Sequence, residues 1–445
     1  ARILVEPVEE LTAPRLRALL AELRDWRIPG VALRRTHLLD AAAWTELAHL
    51  PSLVRLDLGG SDLDDASAAP LGKLTGLREL YLADTQIADG TAAAVASLRG
   101  LVALDLAGTA ITDAAAALLA RCVHLKELSL ARTRVGNLGL EALGALRALE
   151  MIDLSDTAVD DYGPGELAQA AHLRALFLSG TRAGDKSLED LVPILPHLEV
   201  LHLARTSVGE AGLRQLAAAP NLKELVLFAT DTRDASLATI AGLQQLTVLD
   251  LGQTRITDAG LEALRPLAAL DALELSDTGI TDRGMPAVAA HPQLAVLGLN
   301  QTGLTDEGVA ELAPLTKLTA LGLGKTRVTD AGLRALSGLV ELQRLYLYTD
   351  AISDAGLAAL GTLAHRAVVD LEHTQVTDAS ATFLAAQPLA ELNLAHTAVG
   401  DATVEALAGK RTLHTLRLDQ TSVGDGALTA LQTLPLVEPG LSYSS

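Results

Sequence analysis

Residues 246–264 read LTVLDLGQTRITDAGLEAL. Two periodicities meet in this stretch. Leu249 and Leu251 flank Asp250, the alternation of a strand with one buried face. Leu261, Leu264 and, just beyond, Leu267 recur at helical spacing and make one apolar stripe. Between them Gly252 to Asp258 is polar apart from Ile256 and carries the Gly, Thr and Asp of a turn. The stretch therefore predicts a strand, a turn, a short helix and a return. A unit this small cannot cover its own apolar side, so it folds only when stacked on copies of itself.

The copies are present on both sides. The pattern L-x-x-L-x-L-x-x-T-x-[IV]-x-D gives seventeen starts, from a degenerate one at Ile28 through Leu53, Leu77 and Leu246 to Leu413. Thirteen of the sixteen intervals are 24 residues and the others 25, 25 and 23, which makes residues 28–436 one uninterrupted array. Strands stack at about 4.8 Å and helices need about 8–10 Å. The array is thus expected to curve, with a parallel sheet on its concave face and short helices outside.

Two polar columns run through the array. Three residues after the last strand leucine stands Thr in fifteen of seventeen rungs, Ser61 and Asp350 being the exceptions. Its hydroxyl is expected to bond the backbone of the turn and of the next rung. Four residues further on stands Asp in fifteen rungs, with Asn137 and Glu210 in the other two. Asp ahead of an apolar stripe reads as a helix N-cap. Glycines such as Gly260, Gly284 and Gly308 follow two residues later and are expected to permit close approach between turns.

The column changes the meaning of the charge. The formal net charge is −20, and the column holds sixteen acidic residues; setting those aside leaves −20 + 16 = −4. Acidity is then mostly fold chemistry. With no basic stripe to offset it, nucleic acid is not an expected partner. No run of 18 apolar residues occurs, so no membrane span is expected. Cys122 is the only cysteine, which removes disulfides and four-cysteine zinc sites and points to a reducing, cytoplasmic setting. Arg outnumbers Lys 28 to 7, read as a GC-rich bacterial source. Residues 1–27 depart from the pattern. Thr12 and Pro14 open a helix carrying Leu16, Leu19, Leu20, Leu23 and Trp26, a cap over the first rung. Residues 437–445 read as a tail without a capping helix.

The repeat resembles the leucine-rich repeat family and, within it, the cysteine-containing type, whose pattern also continues I-T-D-x-G-L. That type occurs in F-box substrate receptors and bacterial relatives, some of them secreted effectors. The resemblance implies an α/β leucine-rich-repeat solenoid that binds proteins. Two departures matter: the period here is shorter, and Thr stands where that type has Cys or Asn. Residues 1–27 do not resemble an F-box, so no ubiquitin-ligase role carries over.

The repeat leaves few residues unexplained, and those are the candidates for function. Five of the ten aromatics fall on the strand positions expected to face the concavity: Tyr81, Phe177, Phe228, Tyr346 and Tyr348. His202 and Arg205 join Phe177 and Phe228 on successive rungs, and Lys325 and His373 flank the tyrosine pair. Aromatics ringed by charge are interface anchors, so these nine residues are the expected protein-binding surface. Asp57, Asp105, Asp153, Asp250, Glu274 and Asp370 share the face and are read as keeping an exposed sheet soluble rather than steering a partner. His373 and His396 occupy one column on adjacent rungs with Asp370, Glu372 and His414 near. They suit a metal but read more simply as exposed polar side chains, so neither metal nor cofactor is expected. Cys122 reads as a buried structural thiol. With no G-x-S-x-G, phosphate loop or H-E-x-x-H, the chain is not expected to be an enzyme. The expectation is a recognition scaffold, such as the sensor or targeting arm of a larger bacterial protein. Regulation of an enzyme and a translocated effector are the alternatives.

Overall fold

A computed structural model describes residues 4–5, 13–25, 29–35, 41–50, 52–364 and 366–440. It forms two compact units, Ala1–Leu225 and Val226–Ser445, built on one plan. In the first, three-residue strands such as Glu79–Tyr81, Ala103–Asp105 and Glu127–Ser129 pair in parallel with the strand of the next rung, at constant register. In the second, Val248–Asp250, Ala272–Glu274 and Val296–Gly298 do the same. Between strands the chain returns through short α-helical or 3-10 segments. The leucine columns are the core: Leu246, Leu249, Leu251, Ile256, Leu261, Leu264 and Leu267 are each at most 2% exposed. At about 1.5–3 kcal/mol per buried side chain, this repeated burial drives the stacking.

The array starts and ends differently from the sequence expectation. A helix spans Ala13–Asp25 with Leu16, Leu20 and Leu23 buried, as predicted, and a strand at Leu4–Val5 also pairs with Gly30–Ala32. Thr12, Trp26, Ile28 and Thr36 lie outside the described residues. At the other end Glu438–Gly440, read as tail, adds a parallel strand to Thr415–Arg417.

The polar columns do what was expected only in part. The Thr254 hydroxyl donates to the Leu251 carbonyl of its own turn at 2.6 Å, and Thr109, Thr181 and Thr302 repeat this. That bond stays within its own rung; Thr326, whose hydroxyl donates to Asp350 of the next rung at 3.4 Å, is an exception. Among the described residues the Asp column is not the N-cap. Thr257 holds that extended position and Asp258 is the first helical residue. The Asp258 carboxylate instead accepts from the amide (2.8 Å) and hydroxyl (2.6 Å) of Thr281, the N-cap of the following rung. Asp282 with Thr305, Asp306 with Thr329 and Asp330 with Ser353 repeat the clamp. The glycines explain themselves here: a Cβ on Gly284 would sit 2.7 Å from Asp258 Oδ1, and one on Gly308 2.3 Å from Asp282 Oδ1. Close approach of the clamp requires them.

Candidate protein-binding surface

Three lanes line the open side of each sheet. The first is the last strand residue, in register from Asp57 and Tyr81 to Asp153 and Phe177 in the first unit. In the second unit it runs from Asp250 and Glu274 to Tyr346 and Asp370. The second lane lies two residues on, in the turn. The third lies one further, and there the backbone is left-handed. Arg205, Lys325 and His373 sit in that third lane with φ of 55°, 58° and 59°. They leave from the turn beside the sheet, not from the strands themselves. Phe228 and Tyr348 likewise follow their strands, in the second lane. The left-handed bend has a purpose. It lets the amide of Gln253 continue the ladder to the Ser276 carbonyl at 2.8 Å. The signal was legible in Gly60, Gly108 and Gly180, which fill the same lane with φ of 68–70°.

The first-lane carboxylates have a structural task. Asp105 Oδ1 accepts from the Ala107 amide at 3.0 Å, Asp153 from Ser155 at 2.9 Å and Asp250 from Gly252 at 2.9 Å. Glu274 and Asp370 do the same for Ser276 and Glu372. Each ties down the turn amide that no backbone carbonyl reaches. Burial raises Asp105 above the usual carboxylate range, although the Ala107 amide opposes this.

The expected anchors gather unevenly. In the first unit Arg55 lies over the Tyr81 ring, 4.7 Å from its centroid, and pairs with Glu79 at 3.1 Å, to which the tyrosine hydroxyl also donates at 3.3 Å. Phe177 meets His202 edge to face at 4.6 Å, and His202 bonds Glu224 at 2.7 Å. Arg205 reaches back two rungs to Asp156 at 3.2 Å. In the second unit Phe228 lies against Gly252, where a Cβ would be 3.0 Å from the ring, and Tyr348 against Gly324 at 2.5 Å. These aromatics are half-buried, laid along the sheet because a neighbouring glycine leaves room.

One set converges. Lys325, Tyr348, Thr349, Glu372 and His373 line a shallow cleft of about 700 Å³, with Tyr346 on the same rung as Tyr348. His373 stacks on His396 of the next rung, centroids 4.0 Å apart and planes 13° from parallel. The periodic pattern hid a different pair. Leu138 and Tyr162, each one residue past its clamp position, are 71% and 73% exposed in the returns between strands. An apolar residue there shows only once the rung is built. Cys122 is buried against the Val95 carbonyl, and burial pushes its thiol up, so the structural reading holds. Among the described residues no helix is long and apolar enough to cross a membrane.

Comparison with known proteins agrees with the architecture. The family model for the leucine-rich repeat region matches residues 40–305, well over half of the chain. No curated protein matches it in sequence. Among solved structures an LRR protein of Leptospira interrogans aligns at a TM-score of 0.53 and 18% identity, covering 98% of this chain and 100% of that one. TLR13, solved in complex with ssRNA13, aligns at 0.56 and 20% identity over 94% of this chain and 67% of its own. An internalin of Listeria monocytogenes aligns over 97% and 95% at 19% identity, with a TM-score of 0.39. The matched span covers the rungs whose leucine columns and threonine ladder are described above, and the chain belongs to the leucine-rich repeat family.

Proposed function

We propose that this chain is a recognition module whose open sheet face binds a protein partner, with Tyr346, Tyr348, Lys325 and His373 as the principal anchor. The observation that carries the reading is the cleft. There Tyr348, a residue type enriched at interface hot spots, meets Lys325 and His373 around open space. Phe177, His202 and Arg205 form a second, smaller anchor in the first unit, and Tyr81 and Phe228 extend the two surfaces. Leucine-rich repeat proteins are in general non-enzymatic interaction modules, and we extend that to this chain. The TLR13 neighbour was solved with an RNA. The net charge of −20 argues for a protein partner here instead.

We further read the repeat as a 24-residue relative of the cysteine-containing type, with the Thr hydroxyl taking over the turn bond. The single buried thiol supports a reducing, cytoplasmic setting, and the excess of Arg over Lys, 28 to 7, supports a bacterial source. Regulation of a bound enzyme is one form such recognition takes.

Affinity capture with the full chain tests the assignment. Replacing Tyr346 and Tyr348 together by Ala should leave the far-ultraviolet circular dichroism unchanged and weaken partner binding about 30-fold or more, as loss of a hot spot does. The control changes Leu138 and Tyr162 to Ala. Undiminished binding by the tyrosine variant, or loss confined to the control, sinks the sheet-face assignment.

A further inference from the structure

We propose that Glu372, His373 and His396 form a binding site for a borderline divalent transition-metal ion such as zinc. One ligand atom from each lies within 4.8 Å of the others, and Glu372 Oε1 stands 3.8 Å from His373 Nε2. Two neutral imidazoles and a carboxylate are the donor set of three-ligand zinc sites, and they discriminate against calcium and magnesium, which take oxygen.

The fold supplies the preorganisation. Both histidines stand in the left-handed lane with φ of 59° and 57°, one rung apart. Their amides donate across the stack, His373 to Ala395 at 3.0 Å and His396 to Asp419 at 2.8 Å. The ladder threonines beside them, Thr374 and Thr397, lock each turn at 2.6 Å. Backbone placement is thereby fixed by the repeat itself. The carboxylate is held too, since the Asn393 side-chain amide donates to Glu372 Oε2 at 3.2 Å. That bond leaves Oε1 for the ion and is the kind of outer contact that orients a metal-ligating carboxylate.

What remains is side-chain rotation. Bonds of about 2.0–2.1 Å at tetrahedral angles bring ligand atoms to roughly 3.3 Å, whereas the near-parallel rings lie 4.0 Å apart. Parallel planes cannot both point at one ion. Ion binding must therefore break the stack and turn at least one imidazole about its χ angles, and both rings are exposed and free to do so. Three protein ligands leave a fourth position open. Glu372 and His373 also line the cleft with Lys325 and Tyr348, so that position is available to water or to an incoming ligand group.

The test uses the full chain, stripped with chelator and titrated calorimetrically with zinc chloride in the absence of any partner. Its outcome is thus separate from that of the protein-binding proposal. We expect one saturable ion per chain in the micromolar range or tighter. His373→Ala and His396→Ala should each weaken it at least tenfold, and Glu372→Gln should weaken it as well. Cobalt(II) should give the visible spectrum of a four-coordinate ion, lost in the double histidine variant, while thermal melts show that variant folded. The chain has eleven histidines. If zinc binding is not saturable, or survives unchanged in the His373→Ala/His396→Ala chain or in Glu372→Gln, the three-ligand site is wrong.

Discussion

Gly180 shows how much one residue can carry in a repeat. It sits at φ 70° between Asp156 of the preceding rung and Arg205 of the following one, and a Cβ would lie 2.0 Å from Asp156 Oδ1. Gly108 stands in the same relation to Asp84 and Arg132, which pair at 3.0 Å across it. The glycine is the gap through which a two-rung ion pair passes. Gly409 has φ 72° and open space around its Cβ position, so it isolates the backbone strain alone. Gly409→Ala should cost about 1 kcal/mol for left-handed strain. Gly180→Ala should cost that and up to about 1 kcal/mol more, for an exposed ion pair displaced. Urea unfolding at low and high salt checks this: the difference should close as salt screens the pair. A gap that persists at high salt would mean that the clash, not the pair, dominates. Arg205 was legible as a surface cation, but its engagement with Asp156 was not, because the partner is 49 residues away and defined only by stacking.

Within the rung, the clamp between neighbouring helices separates what sequence reveals from what it hides. The strand, the helix stripe and the Thr–Asp spacing were readable in residues 246–264, since each follows from local periodicity. Which backbone the Asp serves was not readable. An N-cap and a first-turn clamp differ by one residue, and a helix boundary inferred from periodicity is no sharper than that. Asp258 joins its helix to the next through Thr281, so Thr281→Val removes the 2.6 Å hydroxyl bond and keeps the amide one. The expected loss is about 1–2 kcal/mol, the lower part of the range for a hydrogen bond to a charged group, because the site is only half-buried. Asp258→Ala should cost more, because the Thr281 amide loses its acceptor too. Denaturant midpoints of the two variants check the order, and equal losses would show that the hydroxyl contributes everything. Rungs whose N-cap is glycine, as at Gly136 and Gly209, already run on the amide bond alone. The candidate site was legible only in part. The aromatics stood out from the repeat, but the left-handed lane that gathers Lys325, His373 and His396 shows in the sequence only where glycine fills it, as at Gly60, Gly108 and Gly180.

Across the chain, two kinds of acid act in opposite directions on stability. Asp65 and Asp378, each held by the following rung, are the first kind. Burial raises Asp378, but the Thr403 hydroxyl and the amides of Gly400 and Thr403 outweigh it and leave the carboxyl below its usual value of 3.8. Asp65, held by Thr91, Ala88 and Gly90, shows the same balance. A lowered folded pKa contributes stability that is present above the unfolded value and lost as pH falls through the folded one. Protonating these two carboxylates should thus remove stability in acid, below about pH 4. Asp350 is the second kind. It replaces the ladder Thr and is 4% exposed, and its Oδ2 is without a hydrogen-bond partner while Oδ1 takes the Thr326 amide at 2.8 Å. Burial pushes it up to about 7, against the opposing Thr326 bonds. Here the folded state holds the proton more tightly than the unfolded one, so stability falls as pH rises from about 4 to about 7 and is flat beyond. Asp350→Thr restores the ladder hydroxyl and removes the buried charge. It should stabilise the chain by roughly 1–3 kcal/mol at pH 8, the cost of a buried group left half-partnered, and by much less at pH 5. Urea midpoints of both proteins from pH 3 to pH 8 should converge toward pH 4 and share the acid limb. Parallel curves across that range would show that Asp350 is already ionised at no cost. The departure from Thr at this one rung, beside Tyr348 and Thr349, would then need another explanation.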